Sequence, residues 1–245
     1  MSMLEHLYEL RDRIIKSAIA IAVGAVVAWF LYPQIFDILL DPYCDLQGSS
    51  VDDCLLLQTE PLEGFSVRLK IAGYGGIALA MPVLLWQVWR FVTPGLYSHE
   101  KKWAYPFVFS AMVLFLLGAG LAFYSLTPAL DFLVSVGGDQ LEQQFRPAPY
   151  LELVTYMMLA FGVGFEFPIV LIFLQLAGIV DGRTLRRYRR HAIIGIVVLV
   201  AVITPSGDPY TLGILSIPMY LFYEGAIVIG LLLTRDRRRS EAGSP

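Results

Sequence analysis

With 245 residues, 57% of them apolar and 16% charged, the chain carries fewer charges than the roughly one quarter usual in a soluble domain of this size. A mean hydropathy of +0.64, and apolar residues gathered in long runs instead of amphipathic stripes, exclude an ordinary water-soluble bundle; the basic residues follow those runs and lack an interleaved aromatic surface, which excludes a nucleic-acid-binding module. The net charge of −3 decides little, because the charges are segregated along the chain.

Glu5, Glu9 and Asp12 precede the first apolar run and no small-residue cleavage site ends it, so the run reads as a retained span and not as a signal peptide. The runs cover residues 14–32, 71–92, 103–126, 153–179, 192–203 and 212–233. The second has an amphipathic approach from Leu62, and Pro33 closes the first. No run alternates with period two as a barrel strand would, and backbone groups in lipid must bond internally. The expectation is an all-α integral membrane protein, one domain over residues 1–245 with six transmembrane helices.

Lys and Arg set the orientation. Arg11, Arg13 and Lys16 precede the first run. Arg90, Lys101 and Lys102 lie between the second and third, and Arg183, Arg186, Arg187, Arg189 and Arg190 between the fourth and fifth. Arg235, Arg237, Arg238 and Arg239 follow the sixth, and only Arg68, Lys70 and Arg146 fall on the other side. By the positive-inside rule both termini are cytoplasmic. Residues 234–245 read as a disordered cytoplasmic tail. The largest non-membrane piece is the first external segment, residues 33–64, which is acidic and holds both cysteines, Cys44 and Cys54. Outside a bacterial membrane such a pair can form and keep a disulfide; two free thiols are the alternative, because nearness in sequence does not prove bridging geometry.

The fifth run reaches about 20 Å at 1.5 Å per residue, short of a hydrocarbon core near 30 Å. A locally thinned bilayer or burial against neighbours would accommodate it. Residues 204–209, Thr-Pro-Ser-Gly-Asp-Pro, make a turn by composition. Two carboxylates, Glu166 and Glu224, sit inside apolar runs. A charge there is costly on a lipid face, so each should face the bundle interior, a wet cavity or a partner. Each can serve as a polar docking or translocation surface or as an interhelical hydrogen bond. Pro82, Pro168 and Pro218 should bend the second, fourth and sixth helices, and Gly162 and Gly164 permit close approach beside Glu166.

On the cytoplasmic side, Glu9 and Arg13 are four apart and share a helix face. Glu100 is the one acid between the second and third runs. A pair of carboxylates at a membrane surface suits a di-arginine peptide, because guanidinium takes carboxylate bidentately. His6, His99 and His191 have no metal-ligand spacing and no nucleophile has a base beside it, so no metal, cofactor or enzymatic chemistry is expected. A proton-coupled small-solute transporter is the competing reading, weakened by the lack of paired inverted halves.

Five strings, taken together and in order, carry a family resemblance: His6-Leu-Tyr-Glu-Leu-Arg-Asp-Arg13; Leu85-Trp-Gln-Val-Trp-Arg-Phe-Val-Thr-Pro-Gly-Leu-Tyr-Ser-His-Glu-Lys-Lys102; Phe161-Gly-Val-Gly-Phe-Glu-Phe-Pro168; Ile203-Thr-Pro-Ser-Gly-Asp-Pro209; and Ile217-Pro-Met-Tyr220. The chain thereby resembles TatC, the multispanning subunit of the twin-arginine translocase, from residue 4 to about residue 233. The resemblance implies a cupped six-helix bundle with short fifth and sixth helices, in the bacterial cytoplasmic (inner) membrane. It implies binding of twin-arginine signal peptides of folded precursors through Glu9 and Glu100, with Arg13, Phe91 and Pro94 in the same patches. It implies recruitment of single-span TatA/TatB-type subunits near Glu166, self-association, and export driven by the proton gradient. Pro42, Glu60 and Asp208 match external positions, the first two in a segment used for assembly. The cysteine pair is a departure whose role the resemblance leaves open.

Overall fold

The computed structural model describes residues 3–48, 54, 56–92, 104–137, 145–176, 178–204 and 208–242. Among them every regular element is a helix. Helix α1 (Met3–Phe30) runs antiparallel to α3 (Glu63–Val92), and glycines set the contact. A Cβ on Gly24 would lie 2.6 Å from the Gly76 carbonyl oxygen, and one on Gly76 would lie 2.6 Å from the Ala25 nitrogen. Small residues let two backbones touch where lipid supplies no hydrophobic drive. The rest of α1 turns Ile15, Ile19, Val23 and Val26 outward.

Between these two lies α2 (Tyr32–Gln47), in a segment the sequence marks only as external and non-membrane. Pro33 closes the first run but stands in the first turn of α2, where its missing N–H costs nothing. The helix buries Leu39, Leu40, Pro42, Tyr43 and Cys44, and it ends at Gly48, whose φ of +63° glycine adopts freely. Helix α4 (Ala104–Gly137) runs well past the predicted end at residue 126, straight through Pro128. A membrane helix tolerates such a residue because its neighbours re-satisfy the freed carbonyl.

The fourth run is two helices, α5 (Pro147–Gly164) and α6 (Phe167–Leu176), starting earlier than residue 153 and interrupted before Pro168. The proline ring has no N–H and crowds the carbonyl four residues back, which is that of Gly164. The α ladder therefore stops there: the Phe165 nitrogen still reaches Phe161 O at 2.9 Å, the Glu166 nitrogen tightens onto Val163 O at 3.0 Å, and Val170 resumes onto Glu166 O at 3.1 Å.

A six-residue α7 (Gly182–Arg187) leads into α8 (Arg189–Ile203). With 15 residues, α8 spans about 22 Å. Helix α9 (Pro209–Ala242) has 34 residues. The sixth run, residues 212–233, is thus not short as the resemblance implies, and the helix continues through residues 234–242, where the basic stretch is rich in good helix formers. Among the described residues five stretches are long and apolar enough to cross a membrane: Leu7–Phe30, Glu63–Phe91, Tyr105–Gly137, Pro147–Gln175 and Pro209–Leu232. Helix α8 is the further, shorter one. One continuous core joins Tyr43, Ile71, Leu126, Val154, Phe161, Phe165, Val200, Leu215 and Met219. We call the end carrying α2 the cap end and the end carrying the first turns of α1 the open end.

Candidate functional site

At the open end, Arg13 Nη2 donates to Glu9 Oε1 at 3.0 Å, and Arg13 Nη1 donates to Gln87 Oε1 at 3.0 Å. Arg13 thus ties the first turns of α1 to the last turns of α3. The pair is largely covered, with side chains 15% and 19% exposed. Glu9 Oε2 is covered too and has no hydrogen-bond partner among the described residues. A buried carboxylate oxygen without a donor is costly, and a second guanidinium is the donor its geometry suits. Nearby, Trp89 packs on Phe107, ring centroids 4.3 Å apart, and on Phe173 at 6.2 Å. Phe91 is half-buried on the last turn of α3. Pro94 and Glu100 lie outside the described residues.

Glu166 sits in the break between α5 and α6, half-buried, and its Oε1 is covered with no partner among the described residues. Beside it Phe165 is fully buried and meets Phe222 of α9 edge-on at 5.6 Å. Of the two glycines expected to allow close approach, Gly162 does: a Cβ there would lie 2.6 Å from the Phe115 ring. Gly164 does not, since its nearest neighbour would be the Met219 methyl at 4.0 Å.

Glu224 takes the interhelical alternative. Arg189, the first residue of α8, donates to Glu224 Oε2, and Tyr220 Oη donates to Oε1 at 2.7 Å. The carboxylate is thereby satisfied, and the start of α8 is fastened to α9. Asp208 is fully buried, and its Oδ1 accepts from Thr211 N at 2.6 Å, capping α9.

The cap end is closed by many bonds. Cys44 and Cys54 form a disulfide with Cα atoms 5.6 Å apart, and both residues are buried. Tyr43 packs against Phe145 at 5.2 Å and Tyr150 at 5.6 Å, and Tyr150 Oη donates to Leu39 O at 2.9 Å. Pro42 is buried inside α2. The exposed Glu60 accepts from Arg146 at 3.2 Å. Sequence reasoning missed Glu63, which it covered only in calling residues 33–64 acidic. Its Oε2 accepts from Thr59 N at 3.0 Å, its Oε1 from Ala148 N at 3.4 Å, and Arg146 Nε stands 3.6 Å away. One carboxylate therefore anchors the starts of α3 and α5 together. Its place in the first turn of a helix, where the dipole favours an anion, was the available signal.

Long apolar helices, a broken span with a half-buried carboxylate, and a partly satisfied carboxylate at one end define a polytopic helical membrane protein with polar groups held for binding. Among the described residues no three His, Cys, Asp or Glu gather as a metal would need. Residues 5–218 match the family described as "TatC: Sec-independent protein translocase protein (TatC)". A Sec-independent protein translocase protein TatC from Frankia casuarinae is 41% identical over 251 residues, covering 99% of this chain and 68% of that one. The TatC of Aquifex aeolicus is 37% identical over 245 residues, covering 97% and 98%. A crystal structure titled as the twin arginine translocase receptor TatC superposes with a TM-score of 0.77 at 37% identity, over 94% of this chain and 99% of that one. The chain belongs to the TatC family, and is thus a protein-transport subunit and not an enzyme.

Proposed function

We propose that this chain is the receptor subunit of a twin-arginine translocase in the bacterial cytoplasmic membrane, with the open end cytoplasmic. The observation that carries the reading is Glu9: one carboxylate oxygen is spent on Arg13 and the other is covered and unmet. The first arginine of a precursor signal peptide takes Glu9 Oε2; the second takes Glu100 across the loop that follows α3. By the family resemblance Phe91 and Pro94 belong to the same peptide-binding patch, and the apolar stretch of the peptide then enters the membrane along the bundle. Single-span partner subunits gather at Glu166, whose unmet Oε1 accepts a hydrogen bond from a partner helix. The buried Pro42 and the Glu60–Arg146 pair belong to the cap end, where a second copy or a partner assembles. Orientation is supported twice. The basic residues concentrate at the open end, and the disulfide lies at the other, where an oxidising exterior lets it persist.

Crosslinking of a twin-arginine signal peptide to the chain in membrane vesicles, with a Lys-Lys peptide as control, tests the reading. A crosslink near Glu9 and Glu100 that the Lys-Lys change abolishes supports it. No selective crosslink would remove the receptor role from this patch.

A further inference from the structure

Across α7 and the start of α8 the chain places five arginines within residues 183–190. Arg189 is spent on Glu224. The other four, Arg183, Arg186, Arg187 and Arg190, are exposed, and none of them makes an ion pair among the described residues. One acid stands close by in sequence, Asp181, and its Oδ1 is used on the Arg183 backbone nitrogen as the cap of α7.

The fold explains why the guanidinia face outward. Leu185 is buried on the inner side of α7, and Tyr223 Oη of α9 donates to its carbonyl at 2.8 Å. Gly182 lies so close to the bundle that a Cβ would come within 3.2 Å of Leu231 N and of Gln175 Oε1. Helix α7 is therefore pinned against α9, with Leu185 on its inner side and its arginines exposed on the outer. The exposed Tyr188 and Ile179 flank it, an aromatic ring and an aliphatic chain at the level where a span meets the headgroups.

We propose that the outer side of α7 and the start of α8 form a binding site for anionic phospholipid headgroups. Guanidinium is weakly hydrated and pairs bidentately with phosphate, and basic clusters beside a span attract an anionic leaflet at about 1 kcal/mol per residue. Four unspent guanidinia on a rigid, membrane-apposed element, with the fifth neutralised from within, meet that chemistry; a zwitterionic headgroup offers no net charge to match them. The site is distinct from the Glu9 patch, whose open group is a carboxylate oxygen.

Native mass spectrometry of the full chain, released from micelles holding equal phosphatidylglycerol and phosphatidylcholine, tests the proposal. The wild-type chain retains phosphatidylglycerol selectively, and salt weakens the selectivity. Changing all four arginines to glutamine removes it by roughly five-fold per guanidinium at low salt, while four lysines in their place keep most of it. Should the four-glutamine chain fail to fold, R186Q and R187Q alone each give the single-residue step. Equal retention of both lipids by the wild type, or undiminished selectivity in R186Q and R187Q, overturns the site. Displacement of the lipid by inorganic phosphate or an acidic peptide at equal concentration also overturns it, in favour of a soluble anion or a protein partner.

Discussion

The two ends of the bundle are held in different ways. At the cap end the acids and the tyrosine that join helices are spent inside the chain: Glu63 on two backbone nitrogens and Arg146, Glu60 on Arg146, and Tyr150 on Leu39, although Arg68 Nε and Thr211 Oγ1 are covered without a partner among the described residues. A buried disulfide closes the loop beyond α2. At the open end groups are left over, namely one oxygen of Glu9 and four exposed arginines. The contrast divides the labour: the cap end holds helices in register, and the open end keeps charge available for what binds. Changes at one end should therefore move stability, and changes at the other should move affinity.

The largest effect falls on affinity. Glu9→Ala removes a charge-assisted bond worth about 1.5–3 kcal/mol, so a twin-arginine peptide should bind on the order of ten- to a hundred-fold more weakly in an equilibrium titration, with some loss of melting temperature because the covered Arg13 loses its ion-pair partner. Equal affinities would break the assignment of the open end. The complementary change is Cys44→Ser. A ten-residue separation corresponds to about 2–3 kcal/mol of loop-closure entropy, so thermal unfolding in detergent should come earlier by that amount while peptide affinity stays the same. A lowered affinity in this variant would show that the two ends are coupled.

How much of this could be read beforehand depends on where each partner lies in the chain. The apolar runs mark the lipid-facing helices because lipid imposes their length and composition. Helix α2 escaped because it packs on protein, needs no continuous apolar run, and begins with a proline. The Glu9–Arg13 pair follows from a four-residue spacing, but its third member, Gln87, is 74 positions away. Glu63 was hidden for the same reason, since one of its partners is a backbone nitrogen 85 residues on. Glu224 could be seen as a carboxylate in an apolar run; its satisfaction by Arg189 depends on α8 folding back along α9. The break at Phe165–Glu166 is written in Pro168, whose effect falls one turn earlier than the residue itself.

A smaller effect sharpens the picture of the scaffold. Gly76→Ala puts a methyl 2.6 Å from the Ala25 nitrogen, backbone against backbone, and should cost about 1–3 kcal/mol as α1 is pushed off α3. Gly73→Ala, three residues earlier on the same helix, meets nothing within 4 Å and should be neutral or slightly stabilising through helix propensity. Comparing the two melting temperatures separates close packing from a general dislike of substitution in α3.

The smallest expected effect concerns Lys70 and Glu152, which pair at 2.6 Å between α3 and α5 with side chains 42% and 50% exposed. In water such a pair contributes no more than about 1 kcal/mol; in hydrocarbon the charge left behind by Lys70→Ala would cost several. Lys70 stands two turns inside α3, about 10 Å along the axis from Glu63 at its start, and its long stem can carry the ammonium outward. We therefore expect Lys70→Ala to lower stability by about 0.5 kcal/mol or less, and by less still at high salt. That outcome places the pair among headgroups and water, with the apolar part of α3 beginning after it. A loss of several kcal/mol, insensitive to salt, would move the membrane boundary up to Glu63 and make the pair part of what fastens α5 to α3, extending the closed character of the cap end two turns deeper into the bundle.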